Sequence, residues 1–444
     1  MHNLGNHREP AVLDPPFALE PRFLALHASI LMPMLRAAYI VSAVRTPMGK
    51  FGGALADSSG ADLGVIAVRA AMERAFGAAP LERKVGSGKG EGAGMPVQHV
   101  DQLIFGNARP AGVGPNVARQ IAWRAGLGDD VPAFTVNMAC ASGLRAIILG
   151  WQQIALGEAD IVVAGGAESM SRVPYLLESR WGFKMGHQPL TDSMYRDGLF
   201  CPMSQMIMGE TAELLATEYR IPREEQDAYA LDSHTRAAAA QAEGRFQAET
   251  VAVEVRDRRG NVSQFEKDEH VRGDVSAGSL AKLAPVFSKT GTITVGSASG
   301  ITDGAAAVVL VGEAKLRELS LKPLARIVDA TVAAVEPQRM GMGPVPAVRR
   351  LEARTGWRPA DYDAVELNEA FAAQVLACDR ELHFDRARMN PNGGAIALGH
   401  PIACTGARIT ATLVHHLKRS GGKRGLATLC VSGGLGVAMA VEAI

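Results

Sequence analysis

One cysteine stands where an extended apolar run gives way to small residues. The stretch VNMACASGLRAI, residues 136–147, places Cys140 between a strand pattern, FTVNM, and a run that starts a helix. A thiol is mostly protonated near neutral pH and becomes a nucleophile when a helix N-terminus, a base or a cation stabilises the thiolate. The following helix would supply the first of these. The alternative is a buried structural cysteine, the usual role of a lone Cys in an apolar context.

A histidine that could act as a base lies near the C-terminus. His400 stands in NPNGGAIALGHPIACTGAR, residues 390–408, just before Pro401, a natural first residue of a helix. The dense glycines indicate backbone that approaches another group closely. A histidine at a helix N-terminus tends to be neutral, and neutral imidazole can accept a thiol proton or donate to an oxyanion. A solvent-exposed capping histidine is the equal alternative.

A second cysteine and an asparagine stand at comparable turns of the chain. Cys430, in LCVSGG, ends a strand beside flexible glycines, and a buried thiol is its alternative role. Asn368, in LNEAFAAQ, stands where a strand turns into a helix. Its amide could hold a water or a substrate carbonyl, or it could cap the helix. The remaining cysteines lack such a context and are interpreted as structural: Cys201, Cys378 and Cys404.

The elements that must position these residues alternate between short aliphatic runs and helical periodicity. From about Tyr39 the chain runs through YIVSAV, a helix over residues 62–76, VDQLIFG, a helix near residues 117–125, FTVNM, a helix from Ala141, and DIVVAGG. This pattern predicts an α/β fold with a largely buried sheet. The alternation is lost over about residues 168–287, which we interpret as an inserted loop domain.

The second half of the chain repeats the first in outline. ACASGLRA, around Cys140, opens a helix, and the next strand is predicted to end at Gly165 and Gly166. ACTGAR, around Cys404, opens another helix, followed by a strand that is predicted to end in the glycine pair 433–434. The match predicts two similar α/β halves packed together, with sites where strand ends of both halves meet.

Composition restricts the classes of function. The 444 residues are 47% hydrophobic, and 46 Lys+Arg balance 46 Asp+Glu, so no nucleic-acid-binding signature is present. Five scattered cysteines without a CxxC pair argue against a disulfide framework and a zinc site, and they favour a reduced, cytoplasmic protein. No segment has the roughly 18 uninterrupted apolar residues that span a membrane. We interpret residues 1–36 as a disordered extension and residues 85–94, VGSGKGEGAG, as a flexible connector.

Taken together, these segments resemble the thiolase family, in the branch that contains acetyl-CoA acetyltransferases and 3-ketoacyl-CoA thiolases. The resemblance runs from about Tyr39 to the C-terminus and rests on motifs in a fixed order: SAVRTPMGKFGG, NMACASG, GGAESMSRVPY, MGETAE, SASGITDGAAA, NEAFA, NPNGGAIALGHP and CVSGG. It implies duplicated α/β halves in a layered αβαβα arrangement, residues 37–315 and 322–444, with the loop domain inserted in the first.

The resemblance implies a role for each matching residue. Cys140 would accept the acyl group, and His400 would take its proton. Cys430 would be the acid/base at the α-carbon of the acetyl group. Asn368, through a water, and His400 would bind one thioester oxygen. Backbone N–H groups of Cys140 and Ser432 would bind the other.

The implied activity is reversible Claisen condensation and thiolytic cleavage of 3-ketoacyl-CoA, either acetoacetyl-CoA or a longer substrate, through an acyl-cysteine. Ser299 would contact the pantetheine arm of coenzyme A, and Phe371 would line the acyl pocket. Coenzyme A thioesters would be the substrates, and no metal or redox cofactor would be required. The family also implies a homodimer or homotetramer.

Four positions depart from the family pattern. Ala403 replaces a glycine and would add a methyl group close to His400. Ser432 replaces the first glycine of CxGGG, and Ser297 replaces an asparagine. Ile207 stands where the acetoacetyl-CoA-forming branch often has a histidine, which leaves the chain-length preference open.

Two other functions stay open at this stage. A decarboxylating condensing enzyme of the ketoacyl-synthase kind shares the duplicated fold, but it has no need for Cys430. A non-catalytic, thiolase-like lipid-binding or scaffold protein would follow if Ala403 has cost the activity. The retained Cys140, His400 and Cys430 argue against this second alternative.

Overall fold

The computed structural model describes residues 35–80, 82–83, 99–257 and 259–444. Residues 1–34 of the predicted extension and the whole predicted connector, residues 85–94, lie outside the described residues. Among the described residues, no helix is long and apolar enough to cross a bilayer.

The strands that the structure describes number sixteen, and most of the longer ones belong to one sheet. In chain order they are β1 (Ala38–Arg45), β2 (Gly49–Lys50), β3 (Gln102–Gly106), β4 (Ala133–Val136), β5 (Ile161–Ser169), β6 (Tyr175–Leu176), β7 (Thr191–Asp192), β8 (Phe200–Cys201), β9 (Met206–Ile207), β10 (Val253–Arg256), β11 (Val262–Phe265), β12 (Thr302–Gly312), β13 (Ala325–Ala334), β14 (Ala364–Leu367), β15 (Arg424–Val431) and β16 (Leu435–Ala443).

Eleven α-helices lie within the described residues. They are α1 (Gly60–Phe76), α2 (Val117–Arg124), α3 (Ser142–Leu156), α4 (Met208–Glu218), α5 (Arg223–Ala242), α6 (Ala277–Ala281), α7 (Glu313–Glu318), α8 (Pro344–Thr355), α9 (Ala372–Leu382), α10 (Ala395–Leu398) and α11 (Ile402–Ser420). The predicted helices near residues 62–76 and 117–125 correspond to α1 and α2. The loop domain predicted over residues 168–287 contains α4 and the long helix α5.

The order of the strands reveals two halves with the same arrangement. The main sheet runs β14-β15-β16-β13-β1-β12-β5-β3-β4, and β2 adds to β12. In the first half, β3 pairs in parallel with β5, and β5, β12 and β1 follow in antiparallel pairs. In the second half, β14 pairs in parallel with β15, and β15, β16 and β13 follow in antiparallel pairs. The halves join where β1 pairs with β13, so the duplication is an approximate two-fold repeat.

Helices cover both faces of the sheet in each half, and the strands are therefore buried on both sides. All nine residues of β5 and all eleven of β12 are buried, as expected of strands covered by helices. One core lies between the halves and contains residues of α3 and α11 together with β1, β5, β12, β15 and β16. Two outer cores contain α1 and α2 on the first half and α8 and α9 on the second. The predicted αβαβα layering is confirmed.

The two central helices touch at their first turns. A Cβ on Gly143 would lie 2.6 Å from the carbonyl oxygen of Ala403, and a Cβ on Gly406 would overlap the backbone of Leu144. Both contacts require a glycine, since backbone meets backbone without space for a side chain. This close approach brings the N-terminal ends of α3 and α11 together.

The predicted strand ends are wrong in detail. Gly165 and Gly166 lie inside β5, which continues to Ser169, whereas the glycines at 433 and 434 form the turn after β15. The two helix entries differ as well, because α3 begins two residues after Cys140 and α11 begins two residues before Cys404. The position equivalent to Cys140 in the second half is therefore occupied by His400, two residues before its helix.

Candidate active site

Cys140 lies in a short 3-10 turn, Ala139–Ala141, that leads into α3. Ala139 has a φ of 44°, and the Ser142 hydroxyl accepts a hydrogen bond from Met138 N and donates to Ala139 O, which fixes the turn. The N–H groups of Ser432 and of Cys140 itself lie close to the Cys140 sulfur and lower its pKa. Of the five cysteines, Cys140 alone is partly exposed.

The protonation of Cys140 differs from what its helix terminus alone would give. Burial of the sulfur raises the pKa of Cys140, and the Ser432 N–H and the charge of Arg109 lower it by less. Desolvation therefore outweighs the helix N-terminus, and the resting thiol is protonated near neutral pH. The nucleophile needs a base at the moment of attack.

His400 is a buried histidine with one free nitrogen. It is 7% exposed, which excludes the capping role at the surface, and its backbone N–H donates to Gly300 O. The Thr405 hydroxyl donates to Pro401 O and lies 2.6 Å from His400 Nδ1. Because the hydroxyl proton is already used, Nδ1 must be the donor of the pair, which leaves Nε2 with a lone pair. Nε2 has no partner among the described residues.

Burial also keeps this imidazole neutral. It lowers the pKa of His400 to about 3, and the positive charges of Arg408 and Arg109 act in the same direction. A neutral imidazole with a free Nε2 can accept a proton from a thiol and return it. The sequence predicted neutrality from the helix N-terminus, whereas desolvation is its main cause.

Cys430 lies at the end of β15 and is close to Cys140. It is 1% exposed, and burial raises its pKa well above the ordinary thiol value, with further increases from Cys140 and Cys378. Cys430 packs in an apolar cluster with Phe371 and Met340, which is partly covered by Phe287. The structure thus brings the two predicted reactive thiols together and surrounds one of them with apolar side chains.

Asn368 presents an amide without protein partners. The residue is 1% exposed, and neither its Oδ1 nor its Nδ2 has a hydrogen-bond partner in the described part of the chain. It does not cap a helix, because α9 begins at Ala372 and its N-cap is Phe371. Buried amides normally have partners, so an unpaired one points to a water or a ligand atom. The helix-cap alternative is wrong.

Both predicted substrate-binding residues meet the segment that follows Asn368. Ser299 is partly buried and donates its N–H to Ala370 O. Phe371 is buried, with its ring edge-on to Phe287 at a centroid distance of 5.8 Å. Met208, which begins α4, packs on the same apolar cluster.

Glu168 is a buried charged residue of the candidate site that the sequence reasoning missed. Its carboxylate accepts hydrogen bonds from groups of both halves, namely Asn107 Nδ2, Ala108 N, Arg109 N and Ala403 N. Burial raises the pKa of Glu168 to about 7, against these donors and Arg109. An acidic residue at the end of a buried strand, in GGAESMSR, was the available signal.

Glu369 holds the segment that carries Asn368. Its buried carboxylate accepts hydrogen bonds from the side chains of Tyr229, Ser233 and Asn390 and from Ile396 N. These donors belong to α5, to α10 and to the glycine-rich segment before α10. The role of Glu369 is to fix the position of its neighbour.

The departures from the family pattern are accommodated locally. The Ala403 methyl lies in an apolar cluster with Ala108, Met170 and Met194, and its N–H binds Glu168. Ser432 directs its backbone N–H at the Cys140 sulfur, and a serine in place of glycine keeps this N–H. Two departures remain. The Ser297 N–H donates to Thr294 O, and the Ile207 N–H donates to Glu210 at the start of α4.

Two family models match the chain. Thiolase, N-terminal domain, matches residues 38–314, and Thiolase, C-terminal domain, matches residues 321–443. An acetyl-CoA acetyltransferase of Cupriavidus necator is 48% identical over 404 residues, which cover 91% of this chain and 98% of the relative.

Solved structures with the same fold carry related names. The crystal structure of the Bacillus anthracis acetyl-CoA acetyltransferase has a TM-score of 0.85 and 43% identity, and it covers 93% of this chain and 100% of its own. Human mitochondrial 3-ketoacyl-CoA thiolase in complex with CoA has a TM-score of 0.85 and 40% identity, with 93% and 99% covered.

Proposed function

Because this chain belongs to the thiolase family, we propose that Cys140, His400, Cys430 and Asn368 carry out its reaction. The protein is an acyltransferase with thiolase activity. The reaction is the reversible Claisen condensation and thiolytic cleavage of 3-ketoacyl-CoA.

In the first half-reaction, the Cys140 sulfur attacks the carbonyl carbon of an acyl-CoA while its proton moves to His400 Nε2. The tetrahedral oxyanion that forms would accept hydrogen bonds from the N–H groups of Cys140 and Ser432, which already face the sulfur. When this intermediate collapses, the bond to coenzyme A breaks and its thiolate takes the proton from His400. The acyl group is then a thioester on Cys140.

In the second half-reaction, the thiol proton of Cys430 moves to His400 Nε2, and the Cys430 thiolate removes a proton from the α-carbon of a second acetyl thioester. The enolate oxygen would accept hydrogen bonds from the protonated His400 Nε2 and from a water on Asn368. The enolate carbon attacks the acyl carbon on Cys140, a carbon–carbon bond forms, and the Cys140 sulfur leaves and takes the proton from His400. Cleavage runs through the same steps in reverse.

The observation that carries this proposal is a set of buried polar atoms without protein partners. His400 Nε2 and both amide atoms of Asn368 are buried and unpaired within the described residues. Leaving such a group unpaired costs about 1–3 kcal/mol. A bound water, and a thioester oxygen once Nε2 has taken a thiol proton, would provide partners for these atoms, and the nearby Cys140 and Cys430 supply the nucleophile and the base.

Coenzyme A thioesters are the proposed substrates. One similar structure was solved in complex with CoA, and the similar enzymes carry the names acetyl-CoA acetyltransferase and 3-ketoacyl-CoA thiolase. Ser299 would contact the pantetheine arm, and Phe371 would line the acyl pocket. The steps need no metal or redox cofactor, and we place the protein in the cytoplasm as a homodimer or homotetramer.

The alternative functions are not favoured. A decarboxylating condensing enzyme has no need for Cys430, which lies beside Cys140 here. A non-catalytic protein was considered because of Ala403, but that methyl group packs against apolar side chains. His400 keeps its free nitrogen.

The test is coenzyme A-dependent cleavage of acetoacetyl-CoA beside a longer 3-ketoacyl-CoA, with the purified protein. We expect cleavage by the wild-type protein and none by Cys140→Ala, and the ratio of the two rates gives the chain-length preference. Folded wild-type protein that cleaves neither substrate would contradict the proposal.

A further inference from the structure

The strand that leads to Asn368 lies at an edge of the main sheet. β14 ends at Leu367, and it pairs in parallel with β15 on one side. On the other side a short piece of chain continues the pairing: Val365 N donates to Arg388 O at 2.9 Å, and Asn390 N donates to Val365 O at 2.8 Å. Since backbone groups alternate between the two sides of a strand, Leu367 is the next residue whose groups face this edge.

The side chain of Asn390 takes over the pairing at Leu367. Leu367 N donates to Asn390 Oδ1 at 3.0 Å, and Asn390 Nδ2 donates to Leu367 O at 2.8 Å. The amide thus meets both groups of Leu367, as the backbone of a neighbouring strand would. Asn390 has a φ of 45°, a left-handed conformation in which asparagine is enriched. This residue type therefore suits both the backbone and the contact.

The same amide reaches the residue on the other side of Asn368. Asn390 Nδ2 also donates to Glu369 Oε1 at 3.0 Å. Asn390 therefore holds the residues before and after Asn368, and all of these contacts are buried. The Asn368 side chain has no partner of its own within the described residues. Its direction depends on how its neighbours are held.

We propose that Asn390 is a positioning residue for the thiolase reaction, whose side-chain amide holds the two neighbours of Asn368 and thereby directs the Asn368 amide at the water on the enolate oxygen. The inference rests on the proposed function and deepens it, because Asn368 is the residue that holds this water. The glycine-rich pattern after Asn390 indicated a close backbone approach but gave Asn390 no role.

The proposed role affects one part of the reaction. In thiolysis, Cys140 attacks the keto carbon of a 3-ketoacyl-CoA, and the carbon–carbon bond breaks with its electron pair on the departing acetyl-CoA enolate. The water on Asn368 would hold the oxygen of this enolate. Transfer of an acetyl group from acetyl-CoA to Cys140 would use the N–H groups of Cys140 and Ser432 instead. A displaced Asn368 should therefore slow thiolysis and condensation but not acylation.

Two substitutions remove the amide in different ways. Asn390→Gly deletes the side chain and keeps a residue that enters the left-handed region without strain. Asn390→Asp keeps the shape of the side chain but replaces the Nδ2 donor with an oxygen, which would face Leu367 O and the Glu369 carboxylate. A loss common to both variants is therefore due to the missing donor.

Both variants should fold, because water can enter the space that the amide leaves. A cavity of about 280 Å³ reaches Asn390 and Glu369 from the side of Tyr229 and Arg236. A water there can pair with the exposed backbone groups, which lowers the cost of losing the amide. It is not attached to the chain, however, so it does not hold the segment in one position.

We expect each variant to lower kcat for thiolysis on the order of 10-fold to 100-fold, as small displacements in active sites do, with the rate of acylation changed less than about 3-fold. Steady-state cleavage of the 3-ketoacyl-CoA that the wild type cleaves faster gives kcat. Intact-mass spectrometry at quenched times after mixing with acetyl-CoA gives the rate at which Cys140 is acylated. A purely structural role of Asn390 would lower both rates together.

The matched control is Asn392→Asp, which makes the same change two residues further along the segment. Asn392 is 1% exposed, and its Oδ1 accepts a hydrogen bond from Arg419 Nη2 at 3.2 Å. Aspartate keeps this acceptor, so both rates should remain those of the wild type. A loss in Asn392→Asp equal to that in Asn390→Asp would assign the effect to the segment and overturn the proposal.

Two further outcomes would overturn the role of Asn390. One is a wild-type kcat in a folded Asn390 variant, and the other is an equal loss of thiolysis and acylation. Wild-type protein that cleaves no 3-ketoacyl-CoA would refute the proposed function and the inference with it, whereas an active wild type with unimpaired variants would refute the inference alone. Melting temperatures identify a variant that fails to fold, and Asn390→Gly remains if Asn390→Asp does.

Discussion

At the scale of single residues, the state of His400 depends on one hydroxyl group. Thr405 fixes the tautomer by accepting from Nδ1 while donating to Pro401 O. We expect Thr405→Val to lower kcat/KM by about 10-fold or more, less than the 10²-fold to 10⁴-fold of a lost general base. Thr405→Ser, which keeps the hydroxyl, should retain most of the activity. Steady-state kinetics of both variants check this, and an unimpaired Val variant would contradict it.

Removal of each reactive cysteine should block a different step of the reaction. Cys430 acts on the α-carbon only, so Cys430→Ala should still take an acyl group from acetyl-CoA onto Cys140 but should not condense it. Intact-mass spectrometry after incubation with acetyl-CoA measures the acyl-enzyme, and Cys140→Ala is the negative control. Absence of the acyl group in folded Cys430→Ala would reverse the assignment of roles.

At the scale of elements, the crossing of α3 and α11 determines whether the site assembles. Gly143→Ala would place a Cβ 2.6 Å from Ala403 O and force the helices apart, so we expect it to destabilise the protein by about 3 kcal/mol or more. Gly278→Ala is the matched control, because its Cβ would meet nothing within 4 Å and it lies in helix α6. Thermal melting of both variants tests this, and equal melting temperatures would contradict it.

The helices and strands could be predicted from the sequence, but the correspondence of positions between the two halves could not. Periodicity and apolar runs located α1, α2 and the sheet strands, because local patterns are sufficient for that. The equivalence of Cys140 and His400 was missed, since it depends on where each helix begins and the two cysteine motifs suggested another register. The boundaries 37–315 and 322–444 stay a prediction.

The candidate site, too, could be predicted only in part from the sequence. Cys140, His400 and Cys430 stood out by residue type and by the glycines beside them, and their motifs gave the family. The partners that set their protonation, Arg109 and Glu168, did not, because the groups that each of them meets depend on how distant segments of the chain pack together.

At the scale of the whole molecule, Glu168 links the two halves through Ala108 and Ala403. Its pKa is about 7 in the folded protein, against 4.5 as the ordinary value. The folded state therefore binds more protons between pH 4.5 and pH 7, so the free energy of unfolding falls as pH rises through this window, by on the order of 3 kcal/mol.

Glu168→Gln tests this dependence because glutamine does not titrate. The melting temperature of the variant minus that of the wild type should increase from pH 5 to pH 8. The comparison uses the difference between the two proteins, so titrations common to both cancel. A difference that is constant with pH would contradict the raised pKa of Glu168.

The surface of the loop domain bears on the proposed assembly. Residues 175–190 expose several large apolar side chains, among them Trp181 at 95% and Met185 at 92%. Clustered apolar exposure of this kind usually marks an interface, and a second copy of the chain is the partner that the proposed homo-oligomer supplies.

We expect light scattering to give a multiple of the chain mass, and Trp181→Lys to reduce it. Leu156→Lys, which changes an apolar side chain that is 67% exposed at the end of α3, should leave the mass unchanged. If the wild type is a monomer, or if Trp181→Lys keeps the full assembly, this segment is not the interface.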